Sequence, residues 1–327
     1  MPPTVYLPTP KNLHFLAALI GQGEIVAIPT ETVYGLAANA LDAVACKKIF
    51  LAKRRPANDP LIVHVLGLRE AKKLAKFSPL AIRLAKEFWP GPLTLVLPKK
   101  SLVPSIVTSG GDTVAIRAPA HPVARKFLKA SRLPLAAPSA NSFGYISPTE
   151  AAHVVDNLNG RIRHVIDGGA CPIGVESTIL DISSPSCPRI LRSGSITRAQ
   201  IARALKPLRL YATTPSVNDR VRLPAPGMLS KHYSPRTPLS FLREHPAKQS
   251  ADTGIILLRK PRGNPPANTY WLSQRGSLKE IARNLYKILR QADKAGHRRL
   301  LVESVPPPAM GLGAAISDRL SRAVAVK

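Results

Sequence analysis

The sequence predicts an α/β protein built from two units, and three observations predict it. Short apolar runs rich in Val, Ile and Leu alternate with amphipathic stretches along the first two-thirds of the chain. A proline-dense segment then interrupts the pattern. Beyond it the alternation of strand and helix begins again.

Taken in order, residues 24–28 read as a buried strand stopped at Pro29, and residues 42–53 as an amphipathic helix. Residues 61–65, 93–97 and 113–117 read as strands, the last stopped by Pro119, and 135–137 as a short one. Ser147-Pro148-Thr149-Glu150 has the form of a capping box with proline at the first helical position, opening a helix to about Asn157. Residues 178–182 form the next strand. Thr197 and Gln200 repeat the capping device for a helix that ends near Leu205. From 208 to 238, Pro215, Pro224, Pro226, Gly227, Pro235 and Pro238 deny the chain a regular helix or a central strand. A loop of that length is either a linker or functional. Then come a strand at 254–258, a helix at 278–295 with apolar residues at 281, 285, 288 and 289, a strand at 299–303 and a last helix from Gly311. That order fits a small parallel sheet. The expected division is 1–207, a linker at 208–238, and 239–327.

Of the 327 residues, 45% are hydrophobic, which excludes a disordered chain. Lys and Arg number 47 against 19 Asp and Glu, a net charge of +28. The imbalance calls for an anionic partner: nucleic acid, a nucleotide or an anionic surface. It is spread over both halves, so there is no basic tail. No apolar run is long enough to span a bilayer, and Met1–Lys11 lacks a signal core, so a cytoplasmic protein is expected. Cys46, Cys171 and Cys187 show no zinc-site spacing, and an odd count argues against a disulfide framework. No metal-ligand set is expected in the protein.

There is no P-loop, no G-x-G-x-x-G after the first strand, no H-E-x-x-H and no G-x-S-x-G. Instead, polar residues gather where strands end, the place at which open α/β sheets bind ligands. Ser and Asn offer uncharged donors to phosphate or base edges, Lys offers charge, and Arg a bidentate fork. Several such loops in one domain point to a nucleotide pocket.

The loops PTETVYGL, KRRPANDPLIVHV, FWPGPLTLVL, VAIRAP, APSAN with SPT, and ESTILDI with LRSG follow one another from about Glu24 to Gly194. In that order they resemble the YrdC-like domain of L-threonylcarbamoyladenylate synthases. PAPGMLSKHYSPRTP and SVPPPAMGLGAAISDRLSRA are similar to the linker and the C-terminal domain of the long form of these enzymes. The resemblance implies a YrdC-like twisted, open mixed sheet with helices, plus a smaller Rossmann-like α/β C-terminal domain. It implies condensation of L-threonine, bicarbonate and ATP, with Mg²⁺, into threonylcarbamoyl-AMP and pyrophosphate. The product would go to tRNA threonylcarbamoyl-transfer machinery, with weak RNA or tRNA binding and no membrane partner.

By the same resemblance, Lys53, Arg55, Ser139 and Asn141 form the catalytic tetrad at the phosphates and the carbamate. Thr32, His64, Arg117, Ser139 and Ser177 fall where threonine is held. Arg55, Asp59, Thr113, Asn141, Thr149, Arg192, His232 and Tyr233 fall on the ATP side. Position 59 is often Asn in relatives, and an Asp near phosphates is unfavourable unless it faces Mg²⁺ or the ribose. Arg117 is expected to hold the threonine carboxylate bidentately. His232 and Tyr233, on the linker, are expected to lie over the pocket and exclude water. The competing reading is a double-stranded-RNA or tRNA-binding module without catalysis. Against it, aromatic residues are only 5% and none interleave with basic ones as stacking platforms do.

Overall fold

The computed structural model describes residues 1–206, 210–211, 232–243 and 250–325. The strands are β1 Thr4–Tyr6, β2 Val26–Ile28, β3 Gly35–Asn39, β4 Ile62–His64, β5 Leu93–Pro98, β6 Thr113–Arg117, β7 Leu135–Ala136, β8 His164–Ile166, β9 Thr178–Asp181, β10 Arg189–Arg192, β11 Leu239–Phe241, β12 Thr253–Arg259, β13 Thr269–Ser273 and β14 Arg299–Val302. The helices are α1 Pro10–Gly21, α2 Ala43–Lys53, α3 Leu68–Leu74, α4 Pro79–Phe88, α5 Pro122–Ser131, α6 Ala151–Leu158, α7 Arg198–Leu205, α8 Leu278–Lys294 and α9 Leu312–Val324.

Ten strands form one mixed sheet in the order β1-β8-β2-β3-β7-β4-β6-β5-β9-β10, and four form a second sheet in the order β11-β14-β12-β13. The second sheet is parallel throughout, as the strand–helix–strand order predicts. The central strands of the large sheet, such as β4 and β5, are buried on both faces. They therefore read as continuous apolar runs rather than as alternations.

Several helix starts are written locally. Thr9, Asp42 and Ser78 each accept a backbone N–H at a helix N-terminus. Thr197 and Gln200 complete the expected capping box of α7. The box expected at Ser147 does not form: α6 begins at Ala151 behind Glu150, with no side-chain cap. The Ser147 hydroxyl instead donates to Glu176 at 2.6 Å, and the Pro148 carbonyl accepts the Tyr34 N–H at 2.8 Å. Glu150 reaches across to Lys287 of α8 at 2.9 Å. Distant partners have recruited the whole motif.

The two units share a core. Val33, Ile146 and Val175 of the first pack with Leu285, Tyr286 and Ile316 of the second. Gly174 sits on this seam at φ +83°, where a Cβ would lie 2.4 Å from the Ala282 carbonyl oxygen and 2.4 Å from the Arg283 Cα. Only glycine fits there without displacing α8. Most of the linker expected at 208–238 lies outside the described residues, apart from 210–211 and 232–238. No described helix is long and apolar enough to cross a membrane.

Candidate active site

A cavity opens where one end of the large sheet meets the second unit. β4 and β6 finish there on His64 and Arg117, which are register partners across a parallel pair. Glu176 and Ser177 precede β9, and β10 ends on Arg192. Gly35 starts β3 and bridges to Ser139. Thr32, Arg55, His64, Arg117, Ser139, Ser177, Arg192, His232 and Tyr233 all line this one cavity. It holds about 50 Å³. By the same measure a water takes roughly 10–15 Å³, so there is space for a few waters.

Each wall residue is positioned by something specific. The Thr30 hydroxyl donates to the Val33 carbonyl at 2.6 Å, folding the β2–β3 loop into a tight turn. That turn holds Thr32 against Arg117, whose Nη1 donates to Thr32 Oγ1 at 2.8 Å. Arg54 closes α2 in the left-handed conformation at φ 53°, which reverses the chain between Lys53 and Arg55. Arg54 stays exposed while both neighbours turn inward, 1% and 8% exposed. The Lys-x-Arg spacing is thus a helix terminus with a basic side chain on each side of the turn, and burial pushes the Lys53 ammonium well below its ordinary value. Arg192 donates to the Ser177 carbonyl and hydroxyl at 3.1 Å each, and Ser177 is also bonded to Thr94 at 2.8 Å.

The histidines are neutral. Burial, with Arg117 behind it, pushes His64 down to about 3, against the opposing pull of Glu31. Its Nδ1 lies 3.2 Å from the Ile62 carbonyl, and the Leu135 carbonyl is a second backbone partner of the ring. Burial likewise takes His232 to about 3, with Arg55, Lys53 and Arg192 adding to the shift and Glu176 opposing it. Burial also lowers Arg55 and Arg192, which still line the cavity as cations.

Other expected site residues lie around the cavity rather than in its wall. Lys53 Nζ donates to the Ser139 and Asn141 carbonyls, the latter at 2.5 Å, so it braces the Ser139–Asn141 loop. The Asn141 amide donates to the Ser142 and Tyr145 carbonyls at 2.8 Å each. Asp59 pairs with Arg55 at 2.9 Å, so the carboxylate at this position neutralises a neighbour. Thr149 is buried next to His153. Thr113 starts β6, at the opposite end of the strand from Arg117.

Sequence reasoning passed over Glu31, Glu176, Tyr286 and Arg319. Arg117 is not held in reserve for substrate, as expected, but pairs with Glu31 at 2.6 Å. Burial pushes the Glu31 carboxyl up, yet the Arg117 guanidinium holds it below its ordinary value. Glu176 lies in the wall and is held at about 2: burial opposes ionisation, and Arg319 and then Arg192 overcome it. A carboxylate inside an apolar motif of a chain with only 19 acids is the signal that could have found both. The described residues contain no cluster of three or more metal-ligating side chains. Glu31, Asp59 and Glu176 each face an arginine, so they do not form a cage for Mg²⁺.

Residues 18–194 match the family described as Telomere recombination, and residues 196–325 match the threonylcarbamoyl-AMP synthase C-terminal domain. Escherichia coli YciO, 20% identical over 59% of this chain and 96% of its own at a TM-score of 0.52, shares the fold. The mixed sheet and its arginine-lined cavity therefore define a YrdC-type α/β enzyme. The threonylcarbamoyl-AMP synthase of Pyrococcus abyssi is 41% identical over 95% of this chain and 94% of its own length. That of Bacillus subtilis is 40% identical over 94% and 91%. A crystal structure of the P. abyssi protein complexed with L-threonine superposes at a TM-score of 0.85, with 38% identity over 98% and 97% of the chains. This chain belongs to the threonylcarbamoyl-AMP synthase family and is an ATP-dependent nucleotidyltransferase.

Proposed function

We propose that the cavity is divided between the substrates of a synthase that joins L-threonine, bicarbonate and ATP into threonylcarbamoyl-AMP and pyrophosphate. Thr32, His64, Arg117, Ser139 and Ser177 take threonine. Arg55, Arg192, His232 and Tyr233 take the nucleotide, with Asp59, Thr113, Asn141 and Thr149 around them. The observation that carries this division is that the His64–Arg117 pair and Arg192 open on one cavity with Ser177 beside them.

Arg117 shares its fork between Glu31 and the threonine carboxylate, which fixes the amine for carboxylation. The carbamate anion attacks the α-phosphorus and pyrophosphate leaves. Attacker and leaving group are both anionic, so a cationic, water-poor wall lowers the barrier. Neutral His64 lines the threonine side without adding charge. Mg²⁺ bound with ATP would supply further charge neutralisation beside Arg55 and Arg192. The product passes to tRNA-modifying machinery in the cytoplasm. The chain divides into a catalytic part at 1–207, a linker at 208–238 and a C-terminal part at 239–327.

Two substitutions test the division. Arg117→Met should raise the KM for threonine about 100-fold, and Arg192→Met the KM for ATP by a similar factor, each leaving the other constant within threefold. If each variant raises both constants equally, the division is wrong.

His232 and Tyr233 stand in the cavity wall, so the short segment that carries them is placed to cover the nucleotide. Seated, it protects the mixed anhydride from water. Tyr233→Ala should raise the ratio of pyrophosphate released to product recovered; an unchanged ratio removes the lid role.

A further inference from the structure

Glu176 lines the cavity next in sequence to Ser177, and Arg192, assigned to the nucleotide, is close enough to help lower its carboxyl. A bare carboxylate there would repel a polyphosphate. This one is covered from behind. Its Oε1 accepts from the Ser147 hydroxyl at 2.6 Å, and its Oε2 accepts from the Tyr286 hydroxyl at 2.8 Å and from Arg319 Nε at 2.7 Å. Tyr286 and Arg319 belong to α8 and α9 of the second unit, and both are buried. Ser147 and Tyr286 bring no charge, whereas Arg319 does.

The same guanidinium has two further contacts at the nucleotide side. It donates to the Ser193 carbonyl, next to Arg192, at 3.0 Å. Its central carbon lies 5.0 Å from the centre of the Tyr233 ring, and that ring stacks on Tyr286 at 5.7 Å. Asp318 also pairs with Arg319, but Asp318 is shared with Arg322 at 2.9 Å, so its demand on Arg319 is partial.

We propose that Arg319 is a positioning residue of the nucleotide site: it cancels the Glu176 charge in the cavity wall near Arg192 and orients the Tyr233 ring that closes the cavity. The second unit thereby completes the site. The proposal rests on placing ATP beside Arg192 and Tyr233.

The test uses the full-length enzyme with ATP and L-threonine. Arg319→Met should raise the KM for ATP about tenfold or more, with the KM for threonine within twofold. The double variant Glu176→Gln/Arg319→Met should recover most of that loss, because the charge and its cancelling partner leave together; a scaffold defect would not be rescued this way. If Arg319→Met leaves the KM for ATP within twofold, or the double variant is no better than the single one, the proposal is overturned. Should Arg319→Met not be recovered folded, Tyr286→Phe removes one donor to Glu176 at nearly constant volume. It is expected to raise the KM for ATP about threefold, and no rise counts against the proposal. Arg192→Met is measured alongside. If that variant leaves the KM for ATP unchanged, the placement of ATP has failed; if it raises the KM while Arg319→Met and Tyr286→Phe do not, only the role of Arg319 has failed.

Discussion

Glu31–Arg117 and Glu176–Arg319 are both buried ion pairs beside one cavity, but they present opposite faces to it. In the first, the arginine lines the cavity and the carboxylate lies behind. In the second, Glu176 lines the cavity and Arg319 lies behind. The desolvation cost of each pair is similar. What differs is the sign offered to a ligand and how firmly it is held. Among the described residues, Arg117 is the side-chain partner of Glu31, so a substrate carboxylate can compete for the fork. Glu176 has three side-chain donors and stays masked. How firmly a pair is held, rather than its presence, sets whether a ligand can compete for it.

The contrast is sharpened most by removing the rear carboxylate of the first pair. Glu31→Gln leaves Arg117 buried without its counter-charge and should cost about 3 kcal/mol of stability. L-threonine should then raise the melting temperature more in this variant than in the parent, since its carboxylate takes the vacated role. Equal shifts would mean that Arg117 is not shared.

Next in size is the acid response, because each half holds one neutral histidine. His64 and His232 have folded values of about 3 against 6.5 unfolded, so the native state binds fewer protons. Their contribution is complete above pH 6.5 and is lost as pH falls toward 3. At pH 5 each should cost about 2 kcal/mol. Urea melts at pH 7.5 and pH 5 check this: His232→Gln should lose less stability on acidification than the parent. A parallel loss in both would place that histidine in contact with water.

The smallest effect lies away from both pairs. Thr197→Ala removes the cap of α7 and should cost about 1 kcal/mol with no change in either KM. A change in KM would show that α7 transmits to the cavity.

What the sequence discloses follows the range of the interaction involved. Thr197 and Gln200 act on a helix start three residues long, and their box forms as expected. Ser147-Pro148-Thr149-Glu150 carries the same local signal but is overridden by Glu176 and Lys287, partners from elsewhere in the chain. The polar loops beside strands that hold Ser177 and Arg192 were legible because they mark the ligand edge of an open sheet, whereas His64 and Arg117, inside strands, were singled out only by the family resemblance of their motifs. That Arg117 and Arg55 are already paired was not legible at Arg117, whose partner comes from the β2–β3 loop. It was within reach at Arg55, where Asp59 stands one helical turn away in sequence. Arg319 was the least visible: it read as one basic residue on the last helix, yet it touches a strand edge of the other unit.

Gly174 adds a mechanical consequence. Its backbone rests directly on α8, two residues before Glu176. A single added carbon at that point would act as a shim, lifting Tyr286 and Arg319 away from Glu176 while leaving every substrate-facing side chain chemically intact. The spacing of the seam is therefore an electrical setting: widening it by the thickness of one methyl group would uncover a negative charge in the cavity wall.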